Sequence, residues 1–169
     1  MRVEQELGIA KAVQQSLFPE ELIEDDRIMI SSHYQSASEC GGDWWGTFRF
    51  KNKQIVAISD ATGHGLPSAL ITAAARSFFS MVEKLITSNL LELNPSEILS
   101  MANRVIYDSS QGQIMMTYFV GIIDYDKNSI EYSSAAHNPP WILSKDSNGQ
   151  VKMASLTAKG VRLGEARDV

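Results

Sequence analysis

Apolar positions recur at alternating spacings of four and three in the opening segment, through Val3, Leu7, Ala10 and Leu17, with Gln14 in the one polar seat. That period predicts a helix over about residues 3–17 with a coiled-coil-like stripe, ended by Pro19. Two heptads are too few to hold a coiled coil alone. Two readings follow: an amphipathic helix packed on its own domain, or a signalling helix continuing from an upstream sensor. The period then shortens. Residues 27–36 read as a strand, with Ile28, Ile30 and His33 or Tyr34 marking its faces. Residues 44–50 and 54–59 are rich in aromatic and β-branched side chains and read as two strands, with Lys51-Asn52-Lys53 as the hairpin turn between them.

A glycine-rich loop, Asp60-Ala61-Thr62-Gly63-His64-Gly65, precedes Pro67, which suits the first turn of a helix. That helix reads to about residue 86, with Leu70, Ala73, Ala74, Phe78, Met81, Val82 and Leu85 on one stripe. Asn94-Pro95-Ser96-Glu97 signals another helix start, with Asn94 as cap and Glu97 completing a capping box, and the helix continues to about residue 107. Residues 114–124, 129–136, 141–143 and 151–156 read as strands, separated by turns at 125–128, Asn138-Pro139-Pro140 and Ser147-Asn148-Gly149. Strands grouped around a helical pair predict an α+β layered fold with mostly antiparallel sheets.

Composition narrows the function. The chain has 169 residues, of which 21% are charged, and a formal net charge of −5. That balance argues against nucleic acid and anionic membrane as partners. Cys40 is the single cysteine, so no internal disulfide forms, as suits a reducing compartment. The N-terminus is not a signal peptide, and no stretch reaches about 18 uninterrupted apolar residues. A cytoplasmic location without membrane insertion is the expectation.

Asp43 and Asp60 are the candidate metal ligands. If Lys51 and Asn52 form the turn, Phe50 pairs with Lys53 and Asp43 falls opposite Asp60; a turn one residue later makes Thr62 the partner. Directly opposed Cβ atoms lie about 4.5–5.5 Å apart. Two carboxylates so close repel unless a proton or cation sits between them. Oxygen-only ligands favour hard cations such as Mg²⁺ or Mn²⁺. Gly41 and Gly42 before one acid, and Gly63 and Gly65 after the other, let backbone approach a ligand and offer carbonyls to a metal or N–H groups to a phosphate. The plainer alternative is that both glycine segments are only turns. His64, four residues after Asp60, has the chemistry to protonate a leaving alkoxide, and equally to cap the next helix or face solvent. His137 reads as a turn-stabilising side chain, Cys40 as a small buried one, and His33 has no informative context. Trp44 and Trp45 alternate faces, which puts one in the core and the other beside the site.

Several segments together resemble SpoIIE/RsbU-like phosphatase domains of the PPM type. LGIAKAVQQSLFP resembles their opening helix, ECGGDWWGTF their E-x-G-G-D motif, and SDATGHGLPSAL their G-D-V-S-G-H-G motif. MTYFVGIID with IEYSSAAHNPPWIL resembles the strand pair ending in A-G-H-x-P-P, and KGVRLGE the glycine motif after it. The resemblance implies a β-sandwich flanked by helices that binds two Mn²⁺ or Mg²⁺ ions. Asp43 would be the first-motif acid, Asp60 would bridge the ions, and the Ala61 carbonyl would be a further ligand. It implies metal-assisted attack of water on phosphoserine or phosphothreonine, without a protein nucleophile. The implied substrate is a phosphorylated regulator such as a STAS-type anti-sigma-factor antagonist.

Under that reading residues 1–19 form a linker or switch helix carrying a signal from a sensor or receiver domain, and residues 20–169 form a partial phosphatase domain. Family members carry two further acidic segments that complete the metal site, and this chain stops at Val169 before them. A catalytically incomplete interaction module is therefore the alternative expectation. Exposed sheet edges left by missing strands add the expectation of a homodimer.

Overall fold

The computed structural model describes residues 2–168; Met1 and Val169, the outer ends of the two expected segments, lie outside the described residues. Helix α1 spans Arg2–Gln15, close to the expected stretch. Gln14 is its one buried residue among those described, whereas Val3 and Val13 are mostly exposed. The expected strand at 27–36 shrinks to β2 (Met29–Ser31), which pairs with β1 (Leu22–Glu24), an element the sequence pattern missed. The cause is local. The Asp25 carboxylate accepts hydrogen bonds from the backbone N–H groups of Arg27 (2.7 Å) and Ile28 (2.9 Å), closing a turn where a strand was expected.

Strands β3 (Asp43–Phe50) and β4 (Lys53–Ala61) form the expected hairpin, and Lys51 takes a positive φ of 54° in its turn. Helix α2 (Leu66–Thr87) and helix α3 (Pro95–Ser110) follow, the latter with the expected Asn94–Glu97 capping box. Strands β5 (Met116–Asp124) and β6 (Ser129–Ala135) complete an antiparallel sheet of order β3-β4-β5-β6. Strands β7 (Trp141–Lys145) and β8 (Val151–Ser155) make a separate antiparallel ribbon.

Alternation along the strands decides what faces what. Trp44 and Phe48 on β3, Ile55, Ala57 and Ala61 on β4, and Met116, Tyr118, Val120 and Ile122 on β5 point to one face. There they pack on Phe78, Phe79 and Val82 of α2 and Ile98, Ala102 and Ile106 of α3. The acids occupy the other parity, on the face turned from the helices. Asn103, 1% exposed, ties the chain's last segment to α3: its amide donates to the carbonyls of Ala166 and Arg167 and accepts from the N–H of Gly164. The result is an α+β fold of antiparallel sheets flanked by helices, as the strand and helix order predicted. No helix among the described residues is long and apolar enough to cross a membrane.

Candidate metal centre

The hairpin register puts Asp43 directly opposite Asp60 and Phe50 opposite Lys53. This is the register given by a Lys51-Asn52 turn, and Thr62 instead pairs with Met115 through its backbone N–H. The two carboxyls are neighbours across the hairpin, each within reach of the other's charge. Burial first, and then the Asp43 charge, push the Asp60 carboxyl above the ordinary carboxylate range. A carboxylate pair of this kind lowers its own energy by taking up a proton or a cation.

The backbone around the pair is built for close approach. A Cβ on Gly42 would lie 2.6 Å from the Ala61 carbonyl oxygen, so any larger residue displaces that carbonyl. The Gly42 carbonyl in turn accepts from the Ala61 N–H (3.0 Å) and from the Thr72 hydroxyl of α2 (2.8 Å). Gly63 and Gly65 both hold positive φ, at 91° and 76°, where a side chain would be strained. This donor set of two carboxylates and a carbonyl is all oxygen, and it fits a hard divalent cation. Among the described residues, no group of three or more His, Cys, Asp or Glu side chains gathers to enclose one.

The cavity over the acids is lined by Phe18, His33, Tyr34, Trp45, Ile58 and His137 among others. Trp44 and Trp45 both touch this cavity, but Trp44 is buried in the core and Trp45 is only half-buried, so Trp45 is the one that borders the site. Cys40 is buried, as expected. His64 sits exposed in the loop before α2 and is not part of that lining. His137, expected only to stabilise a turn, faces the acids. His33 also lines the cavity, although its sequence context carried no signal.

Gln14 was legible only as a polar interruption of an apolar stripe. The structure gives it a task. Its side-chain amide donates to the Gly41 carbonyl (2.6 Å) and accepts from the Gly41 N–H (3.0 Å), two residues before Asp43. The Leu17 carbonyl at the exit of α1 accepts from the Trp44 indole (3.2 Å) and the Arg76 guanidinium (3.1 Å). The opening helix is thereby fastened to the strand end that carries the first acid. Gln14→Ala strips both partners from Gly41, and each bond is worth about 0.5–1.5 kcal/mol net. A loss of about 1–3 kcal/mol is expected in urea denaturation, with faster hydrogen exchange at Gly41. Unchanged exchange at Gly41 would contradict this fastening.

Comparison with known proteins fits this geometry. The chain is 29% identical over 166 residues to the phosphoserine phosphatase RsbU of Bacillus subtilis (strain 168), covering 98% of this chain and 47% of RsbU, so it spans about half the length of that relative. Its fold matches the SiaA-PP2C domain of Pseudomonas aeruginosa with a TM-score of 0.72 at 16% identity, covering 98% of this chain and 63% of that one. It matches RsbX, solved in complex with magnesium, with a TM-score of 0.61 at 16% identity, covering 86% and 66% of the two chains. The family model described as stage II sporulation protein E (SpoIIE) matches residues 51–168, well over half of the sequence. On that match, this chain belongs to the SpoIIE family.

Proposed function

We propose that this chain carries the metal-binding face of a Mn²⁺- or Mg²⁺-dependent phosphatase that removes phosphate from phosphoserine or phosphothreonine. The observation that carries this reading is the placement of Asp43 opposite Asp60, beside the Ala61 carbonyl, in a member of this family. Asp43 and Asp60 would hold the cations through their carboxylates, and Ala61 through its carbonyl. Two divalent ions would supply Lewis acidity and charge neutralisation for in-line attack of water on phosphorus. The P–O ester bond breaks as the water oxygen bonds to phosphorus, and the departing serine or threonine oxygen takes a proton. His64 is the proposed proton donor; its exposed loop must fold over the substrate for that role. Gly41, Gly42, Gly63 and Gly65 keep the surrounding backbone free of side chains; the Gly41 N–H is held by Gln14, so phosphate oxygens would be met by the other backbone N–H groups.

The proposed substrate is a phosphorylated regulatory protein of the STAS type, in an anti-sigma-factor pathway. Residues 1–19 form the proposed signal-carrying helix from a sensor or receiver domain, and residues 20–169 the phosphatase portion. A cytoplasmic setting and a homodimer belong to the same reading. The alternative, a phosphatase-like interaction module, is favoured by one observation: the described residues supply two acids and no larger ligand cluster.

Hydrolysis of an aryl phosphate by this chain, with Mn²⁺ and again after chelation, decides between them. The phosphatase reading expects activity that appears with Mn²⁺ and disappears on chelation. Inactivity with saturating Mn²⁺, in a chain that still binds the phosphorylated regulator, leaves the interaction module.

A further inference from the structure

Asp43, Asp60 and Thr117 are successive partners across β3, β4 and β5, forming one rank on the face turned from the helices. His137 extends that rank. It follows β6, and its ring Nδ1 lies 2.8 Å from the Thr117 hydroxyl. The same hydroxyl has only a long contact, 3.5 Å, with the Asp60 carbonyl. Which of the two donates across this contact depends on the imidazole tautomer. With the threonine hydroxyl as donor, neutral imidazole carries its own proton on Nε2. That Nε2 makes no hydrogen bond among the described residues, although the side chain lines the acid cavity.

The turn itself does not need the ring. The His137 backbone N–H donates to the Ser134 hydroxyl (3.2 Å), and Ala136 takes a positive φ of 54° just before it. A non-glycine residue in that region is uncommon and is held there by its surroundings. The ring is thus set on a fixed turn, oriented by a threonine whose strand neighbour is Asp60, with its second ring nitrogen unused.

We propose that His137 is a phosphate-binding residue of this site, its Nε2–H donating to a non-bridging oxygen of the substrate phosphoryl group, with Thr117 as the positioning residue that fixes the ring. The proposal rests on the phosphatase reading above and adds a contact which that reading does not contain. It also puts the phosphoryl group at the part of the cavity lined by His137.

The test uses inorganic phosphate as the probe on the full chain with Mn²⁺. Phosphate binding is followed by calorimetry, and phosphate inhibition of aryl phosphate hydrolysis in parallel, for the wild type, His137→Ala, His137→Gln and Thr117→Val. His137→Ala is expected to weaken phosphate binding roughly ten- to hundredfold, the range for a hydrogen bond to a charged group. Mn²⁺ affinity and melting temperature should stay near wild type. His137→Gln keeps a side-chain N–H and should retain most of the affinity, while Thr117→Val should fall between. A wild type that binds Mn²⁺ and phosphate, with His137→Ala binding phosphate equally well, overturns the His137 assignment alone. A lowered melting temperature with unchanged phosphate affinity overturns it in favour of a purely structural ring. Failure of the wild type to bind Mn²⁺ overturns the phosphatase reading and this proposal with it.

Discussion

Asp60→Asn is expected to cut Mn²⁺-dependent hydrolysis by at least about 100-fold, and at the same time to make the metal-free protein more stable at neutral pH. The first effect follows from the ligand role. Losing residues that only orient metal ligands already costs about 10–100-fold, so losing a ligand costs no less. The second follows from the unscreened pair. The Asp60 carboxyl is held above its ordinary range by burial and by Asp43. A carboxyl raised on folding contributes stability that is fully present below its unfolded value, about 3.9, and lost as pH rises through the folded value. The amide does not ionise, so the variant escapes that loss.

Asp60 remains largely in contact with solvent, and screening holds the gain below about 1 kcal/mol, or a few degrees in melting temperature. Melts in a chelator at about pH 3 and pH 7.5 measure it. The variant should melt above wild type at the higher pH and level with it at the lower. A variant less stable than wild type at both would remove the claim that the two acids repel. Adding Mn²⁺ should then reverse the order, because the cation stabilises only the chain that holds it.

The largest loss of stability is expected from Trp44→Ala. The side chain is 1% exposed and meets Phe79 edge-on, with ring centroids 5.2 Å apart. A Cβ on Gly46 would lie 2.4 Å from the indole, so glycine is what leaves room for the ring. Truncation removes this packing, leaves a cavity between sheet and α2, and frees the Leu17 carbonyl of its indole partner. Buried Trp→Ala changes cost about 3–5 kcal/mol, a large part of the 5–15 kcal/mol that holds a typical domain. Trp45→Ala, one position along and on the solvent-facing side, should cost far less. Equal shifts in urea midpoint for the two variants would contradict the assignment of faces. Trp44→Ala should also loosen the adjoining Asp43 and weaken Mn²⁺ binding.

Much of this arrangement can be read from local chemistry. A capping box at Asn94, a proline after Gly65 and a two-residue turn between apolar strands are short-range signals, and each element formed where its signal stood. Register is the strongest case. Once the turn is Lys51-Asn52, the constant sum of opposed positions forces Asp43 against Asp60, with no tertiary information required. Motif resemblance added the family, because five segments in order specify more than any one of them.

Failures of the sequence reading also have physical causes. The strand expected at 27–36 lost its first residues because one carboxylate, Asp25, captured two backbone N–H groups that a ladder would have used. Periodicity cannot register such competition. Gln14 looked like a defect in a stripe because its partner, Gly41, is 27 residues away. His137 looked like a turn residue because its neighbour Thr117 lies 20 residues back, on a strand that joins it only in the folded sheet.

The sequence by itself therefore determined most of the elements, narrowed the hairpin to two registers and pointed to the family, since these depend on spacings within a few residues of a turn or within a motif; the structure chose the register that pairs the two acids. Only the tertiary structure decided which tryptophan is core, what Gln14 binds and that His137 stands beside the acids, since these depend on contacts that close long loops and carry no periodic trace in the chain.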